Sequence, residues 1–235
     1  MRTKELSTAL MVAISLLGVA GCGAASEIET VPSSGISSEA IEDLLSSAFV
    51  VEGFACQRKS TGSGIAVDEG ILTNAHVVAG ADELSVIDKN GNRYSAKIVS
   101  FDSQTDLALL DVEGLNVPSL PTTIPQKGVN GVALVGGDGT VKAIPAKIDR
   151  VVDINIADIY GDGEFRRKGL QLTAEISPGD SGGAILDNSG GVVGLVFSRS
   201  NNNDGVSYAV SSEEFHLVTD NVSGDSVDNG ECLRR

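Results

Sequence analysis

The segment Pro178-Gly179-Asp180-Ser181-Gly182-Gly183 sets a serine hydroxyl among glycines, a setting that suits a nucleophile. Glycines let the backbone bend tightly and leave neighbouring N–H groups free to converge on one point. A carbonyl attacked by Ser181 develops an oxyanion, and the N–H groups of Gly179 and Ser181 are placed to receive it. The same six residues also read as an ordinary glycine-rich turn, so the chemistry depends on a base. A histidine of near-neutral pKa is the usual acceptor for the serine proton. The chain has two, His76 and His216. His76 lies in Leu72-Thr73-Asn74-Ala75-His76-Val77-Val78, after two strand-like runs, Gly64–Val67 and Gly70–Thr73, joined by the turn Asp68-Glu69-Gly70. His216 has no glycine-rich or small-residue surroundings and reads as a surface or packing residue. An aspartate just before an apolar strand can orient the imidazole and stabilise its charged form. Asp106 in Thr105-Asp106-Leu107-Ala108-Leu109-Leu110-Asp111 fits, whereas Asp102 and Asp111 read as solvated caps.

The chain order His76, Asp106, Ser181 separates two hydrolase classes. Gly179-Asp-Ser181-Gly-Gly also satisfies the Gly-x-Ser-x-Gly elbow of the α/β-hydrolases, but there the serine comes first and opens a helix. Here Gly183–Asp187, the turn Asn188-Ser189-Gly190-Gly191 and Val192–Phe197 read as strand, turn, strand. The elbow reading fails on both counts. Short β-rich runs recur elsewhere with turn signals such as Asn90-Gly91, and the body of the chain carries no long amphipathic helix pattern.

Five motifs now stand in order: Gly62-Ser-Gly-Ile-Ala-Val67, Thr73-Asn-Ala-His-Val-Val78, Asp106-Leu-Ala-Leu-Leu-Asp111, Pro178-Gly-Asp-Ser-Gly-Gly183 and Gly191-Val-Val-Gly-Leu-Val196. Together they resemble the trypsin-like serine proteases, in the bacterial branch that includes the HtrA enzymes. The resemblance spans about residues 49 to 212. It implies an all-β fold of two six-stranded antiparallel β-barrels with the active site at their interface, His76 and Asp106 in the first and Ser181 in the second. Asp158-Ile-Tyr-Gly-Asp162, with cysteines flanking the protease core, adds a narrower resemblance to the periplasmic acid-resistance proteases of mycobacteria.

The ends of the chain speak of location. Positive charge in Met1-Arg-Thr-Lys4 precedes an apolar run, Ala9 to Ala20, too short to favour a spanning helix. Val19-Ala20-Gly21-Cys22 resembles a bacterial lipobox, which implies removal of residues 1–21 and lipid on Cys22, palmitate among the acyl groups; the bland alternative is a plain secretory signal. Two or three acyl chains hold a soluble domain firmly on a membrane. The expected location is therefore outside the cytoplasm, at the periplasmic or cell-envelope face of a bacterial membrane. With Cys22 assigned to lipid, Cys56 and Cys232 remain as a disulfide pair or as two free thiols. Residues 22–48 read as a tether, with a short helix over Ser38–Leu45 capped by Ser37 or Ser38. Residues 49–235 read as the protease domain, with too little chain after Tyr208-Ala209-Val210 for a PDZ module.

A net charge of −15 argues against nucleic acid and against charge-driven binding to anionic lipid. Peptide or protein substrates are the expected partners, the protein working as a monomer without metal or cofactor; no Cys/His cluster with ligand spacing and no phosphate loop stands in the sequence. The family resemblance puts Glu175, six residues before Ser181, at the base of the S1 pocket, where a carboxylate favours Lys or Arg unless Arg199 neutralises it. It also assigns the backbone of Phe197, Ser198 and Arg199 to an extended substrate strand. Asp180 in digestive relatives pairs with a freed N-terminal amine; here it needs another partner or a later cut. Arg166-Arg167-Lys168 reads as a solvated basic loop between Gly161 and Gly169, or as a processing site. The function expected is a membrane-anchored serine endopeptidase, the competing reading a latent or non-catalytic binding or sensing lipoprotein on the same barrel.

Overall fold

Phe49-Val50-Val51 is an unbroken apolar run, as a strand shows when both of its faces are covered. In the computed structural model, which describes residues 34–220 and 222–233, this run lies in strand β1 (Ala48–Ala55). Phe49 and Val51 enter one core with Ala66, Ile71, Val78 and Leu110. Val50 enters another, shared with Ile65, Leu72, Leu107 and Leu109, and with Leu134 and Leu195 from later in the chain. Leu107-Ala108-Leu109-Leu110 divides its side chains between the same two cores. Period-two alternation therefore sorts each strand between the inside of its own barrel and a shared apolar seam.

The first sheet comprises β1, β2 (Arg58–Val67), β3 (Gly70–Thr73), β4 (Glu83–Ile87), β5 (Arg93–Ser95), β6 (Lys97–Asp102) and β7 (Leu107–Asp111). Its order is β5-β4-β1-β2-β3-β7-β6. Seven strands replace the expected six because one is bent: only Ala96 separates β5 from β6, and its N–H still donates to Leu84 O of β4 at 3.0 Å. The bent strand pairs with β4 at its start and β7 at its end, which carries the sheet round on itself. The second sheet is a closed six-stranded barrel of β8 (Asn130–Val135), β9 (Lys142–Ile156), β10 (Phe165–Thr173), β11 (Ala184–Leu186), β12 (Val192–Arg199) and β13 (Val206–Ser211). Its own core gathers Ile148, Leu170, Leu172, Ile185 and Val196. The architecture is all-β and chymotrypsin-like.

The basic run departs from expectation. Arg166, Arg167 and Lys168 lie in β10, not in a loop. Arg166 and Lys168 both pair with Asp153 on neighbouring β9, at 3.0 and 2.9 Å, while Arg167 points the other way and is buried. Three cations in a row look solvated in a sequence, but strand alternation separates the middle one from its neighbours.

The ends of the described chain brace the barrels. Helix α1 (Ser38–Leu44) is capped by Ser37, whose Oγ accepts from Ala40 N–H at 3.2 Å, and Ile41 and Leu44 pack on the shared core. After β13 the tail runs along the first sheet: Ser223 and Val227 N–H donate to Val99 and Ile98 O, each at 2.9 Å. Asn229 Nδ2 donates to Val78 and Ala81 O, each at 3.1 Å. A Cys56–Cys232 disulfide with a Cα–Cα distance of 6.1 Å ties the tail to the turn after β1. Residues 1–21 and Cys22 lie outside the described residues, as do residues 23–33 of the tether. Among the described residues, no helix is long and apolar enough to cross a membrane.

Cys56 and Gln57, which turn the chain from β1 to β2, have φ of +47° and +62°. A two-residue hairpin turn with both φ positive favours glycine at its second position. Gln57→Gly relieves the left-handed strain and should raise the midpoint of urea unfolding, by about 0.5–1 kcal/mol in stability.

Candidate active site

Strand β3 ends at Thr73, and the chain turns through Asn74 into a single helical turn, Ala75–Val78, that carries His76. Asp106 enters from the β6–β7 turn with φ +62°, a conformation that aspartate tolerates better than most residues. Asn74 Nδ2 donates to Asp106 O at 2.8 Å and holds that turn in place. The Asp106 carboxylate then receives two groups of one residue. His76 N–H donates to Oδ1 at 2.9 Å, and His76 Nδ1 lies 2.8 Å from Oδ2 and 3.0 Å from Oδ1. A carboxylate on Nδ1 keeps the proton there and leaves Nε2 as the basic nitrogen. Both side chains are largely withdrawn from solvent, 12% and 7% exposed. His216 is exposed on a late helical turn, Asp111 pairs with Lys97 at 3.1 Å, and Asp102 caps its own turn through Gln104 N–H and Thr105 Oγ.

Ser181 arrives from the loop between β10 and β11, where two glycines are required. Gly179 has φ +95° and Gly182 φ +84°; a Cβ on Gly182 would also press on Ser63 O and Thr73 Oγ1. The N–H groups of this loop fall into two sets. Those of Asp180, Gly182 and Gly183 donate to Ser177 O, Val196 O and Asp180 O at 2.8 to 3.0 Å. Those of Gly179 and Ser181 donate to nothing among the described residues, and both residues line a cleft of about 420 Å³ with His76. No hydrogen bond links His76 to Ser181 among the described residues. Such bonds are often long before substrate arrives.

Ser63, on β2, ties this loop to the first sheet. Its N–H donates to Ser181 O at 2.7 Å, its Oγ accepts from Gly136 N–H at 2.8 Å, and its O accepts from Thr73 Oγ1 at 2.7 Å. Asp180 is also partnered. Its buried carboxylate accepts from Ser177 N–H at 2.8 Å and Gly137 N–H at 3.2 Å, so backbone groups of the second barrel are its partners here. Ser63, Thr73 and Asn74 stand inside the sequence motifs, which assign them no role, and Gly137 stands outside every motif. Ser63 and Gly137 each stand beside glycine in the sequence, whereas Thr73 and Asn74 do not.

The remaining candidates lie around two other hollows. Phe197 and Ser198, at the end of β12, line a hollow of about 290 Å³ with His76, Asp106 and Arg167. His76 thus stands between this hollow and the cleft of Ser181. Glu175 and Arg199 are exposed and share a separate pocket of about 260 Å³, which Ser181 does not line, with no ion pair between them. Asp180→Ala strips the acceptor from the Ser177 and Gly137 N–H groups. It should lower stability by about 2–3 kcal/mol in urea unfolding followed by circular dichroism, with Asp180→Asn restoring part of the loss.

Comparison with known proteins agrees with this geometry. Residues 62–195 match the Trypsin-like peptidase domain family. Serine protease Rv3671c (MarP) of Mycobacterium tuberculosis is 36% identical over 147 residues, which are 60% of this chain and 37% of its own length. The DegP-like periplasmic serine endoprotease of Halomonas elongata is 32% identical over 196 residues, 76% of this chain and 39% of its own length. The chain thus matches about two fifths of the length of these relatives. The crystal structure of the Rv3671c protease from M. tuberculosis in its active form superposes with a TM-score of 0.77 at 25% identity, covering 96% of this chain and 100% of that one. With the His76–Asp106 pair and the glycine loop of Ser181 meeting at a seam of two β-sheets, the chain belongs to the trypsin-like peptidase family, close to Rv3671c and the HtrA/DegP serine proteases.

Proposed function

We propose that the chain is a serine endopeptidase that cleaves peptide or protein substrates outside the cytoplasm. The observation that carries this reading is the cleft where His76, already held by Asp106, faces the loop of Ser181 with two unused N–H groups. Ser181 Oγ attacks the scissile carbonyl carbon while its proton passes to His76 Nε2, and Asp106 stays ionised to stabilise the imidazolium. The oxyanion is received by the N–H groups of Gly179 and Ser181. The proton moves on to the leaving amine, the C–N bond breaks, and the acyl-enzyme ester on Ser181 is hydrolysed by water in the reverse sequence of proton transfers.

An extended substrate can run along the end of β12, where a bulge between Val196 and Ser198 interrupts pairing with β13. Basic side chains at P1 follow if the Glu175 pocket receives them; Glu175→Gln should then narrow the ratio of Arg to Leu cleavage, and an unchanged ratio would place selectivity elsewhere. Lipid on Cys22 anchors the domain to the membrane. Cys22→Ser should move the protein from the membrane to the soluble fraction and abolish incorporation of labelled palmitate.

The direct test is labelling of the full, oxidised chain with a fluorophosphonate. Stoichiometric labelling that vanishes in Ser181→Ala, and a rate about 10⁴-fold lower in Asp106→Asn, is the expected result. A folded chain that takes up no label would instead be a latent or purely binding member of the family.

A further inference from the structure

Among the described residues, Arg167 is the one buried cation beside the candidate triad, 4% exposed. Its side chain leaves β10 of the second barrel and ends against the turn that carries Asp106 in the first sheet. Nη1 donates to Gln104 O at 3.3 Å. The guanidinium lies over the Phe197 ring, 4.8 Å from the centroid, a cation–π contact. Its Nε has no partner among the described residues. The fold therefore keeps a buried charge there that bulk solvent and direct ion pairing do little to neutralise.

We infer that Arg167 is a positioning residue for the His76–Asp106 pair: it braces the turn that presents Asp106 and sets a fixed positive charge beside it that disfavours protonation of His76. The inference rests on the proposed role of His76 as base. Asp106, Asp102 and Glu214 are the carboxylates whose charge Arg167 feels, while burial pulls its own pKa below the ordinary arginine value. Arginine stays charged nonetheless. Two of those carboxylates are engaged elsewhere: Glu214 accepts from Lys168 N–H at 2.6 Å, and Asp102 from Gln104 N–H and Thr105 Oγ. Asp158 lines the hollow that His76 shares with Arg167, and Arg58 and Lys59 line the cleft on the other side of the imidazole. Lys59 is paired with Glu52 at 2.5 Å and exposed, so its charge is screened. Removing Arg167 leaves the carboxylates of this cluster uncompensated. Both that and the loss of the cation itself favour imidazolium, so the sign is single: the His76 midpoint rises and the base is lost to protonation at a higher pH.

The test is an NMR titration of the histidine rings in the full chain, with exposed His216 as internal control. Arg167→Gln removes the charge but keeps a planar amide donor; Arg167→Lys keeps the charge. In Arg167→Gln the His76 midpoint should rise by about 0.5–1 pH unit, and in Arg167→Lys by less than about 0.2, with His216 unmoved in both. The fluorophosphonate labelling rate, one unit below the wild-type midpoint, should fall about three- to tenfold in Arg167→Gln. An unmoved His76 midpoint in folded Arg167→Gln, or equal shifts in Gln and Lys variants, overturns the inference. Should the Gln variant not fold, Arg167→Met is titrated in its place under the same criteria. The titration needs no turnover, so a wild-type chain that takes no label refutes the protease reading separately.

Discussion

Ser63 holds the two halves of the candidate site in register. One buried residue on β2 uses its N–H, hydroxyl and carbonyl to contact the Ser181 loop, the Gly136 backbone and the end of β3. Ser181 and His76 come from different sheets and are more than a hundred residues apart in sequence. Their relative position is set by how those sheets meet, and polar contacts at 2.7 to 2.8 Å set it far more sharply than apolar packing alone. The cost of leaving any of these buried groups unpaired makes the arrangement stiff. Gly182 completes the constraint, because a side chain there would press on Ser63 O itself.

The apolar seam makes this register affordable for strands that would otherwise slip. Val50, Ile65 and Leu72 from the first sheet pack with Leu134, Leu186 and Leu195 from the second, so a one-residue shift would turn the wrong face toward the shared core. The tail and its disulfide then clamp the hairpin turn after β1 against the region of Gly80, where Gly80 N–H donates to Asn229 O at 3.1 Å. Leu233, just past Cys232, lines the cleft beside His76. The wall of the candidate site is thus built partly by the last described residues of the chain.

Much of this was legible in the residues. Glycine demands near Ser181, the scarcity of histidine and the apolar strand after Asp106 each point to one position, because few residue types can do that chemistry or adopt those conformations. The hairpin of β2 and β3 and the strand-turn-strand after Ser181 were equally plain, since turn residues announce themselves locally. The bent strand at Ala96 was not: it breaks no propensity rule and shows only in its pairing with β4 and β7. Arg167 was hidden by its neighbours, whose charges made a buried strand residue look like part of a solvated loop.

What the sequence alone determined is the chemistry on offer, the class of fold and the pairing of residues close to glycine-marked turns, because composition and local geometry limit these without reference to distant parts of the chain. Tertiary structure alone decided that Gly137 N–H reaches the Asp180 carboxylate, that Glu175 faces a pocket apart from Ser181, and that Arg167 lies behind Asp106. Each of these depends on an approach between segments that are remote in sequence. Such approaches are settled by the closure of two curved sheets against one another, and no local pattern encodes them.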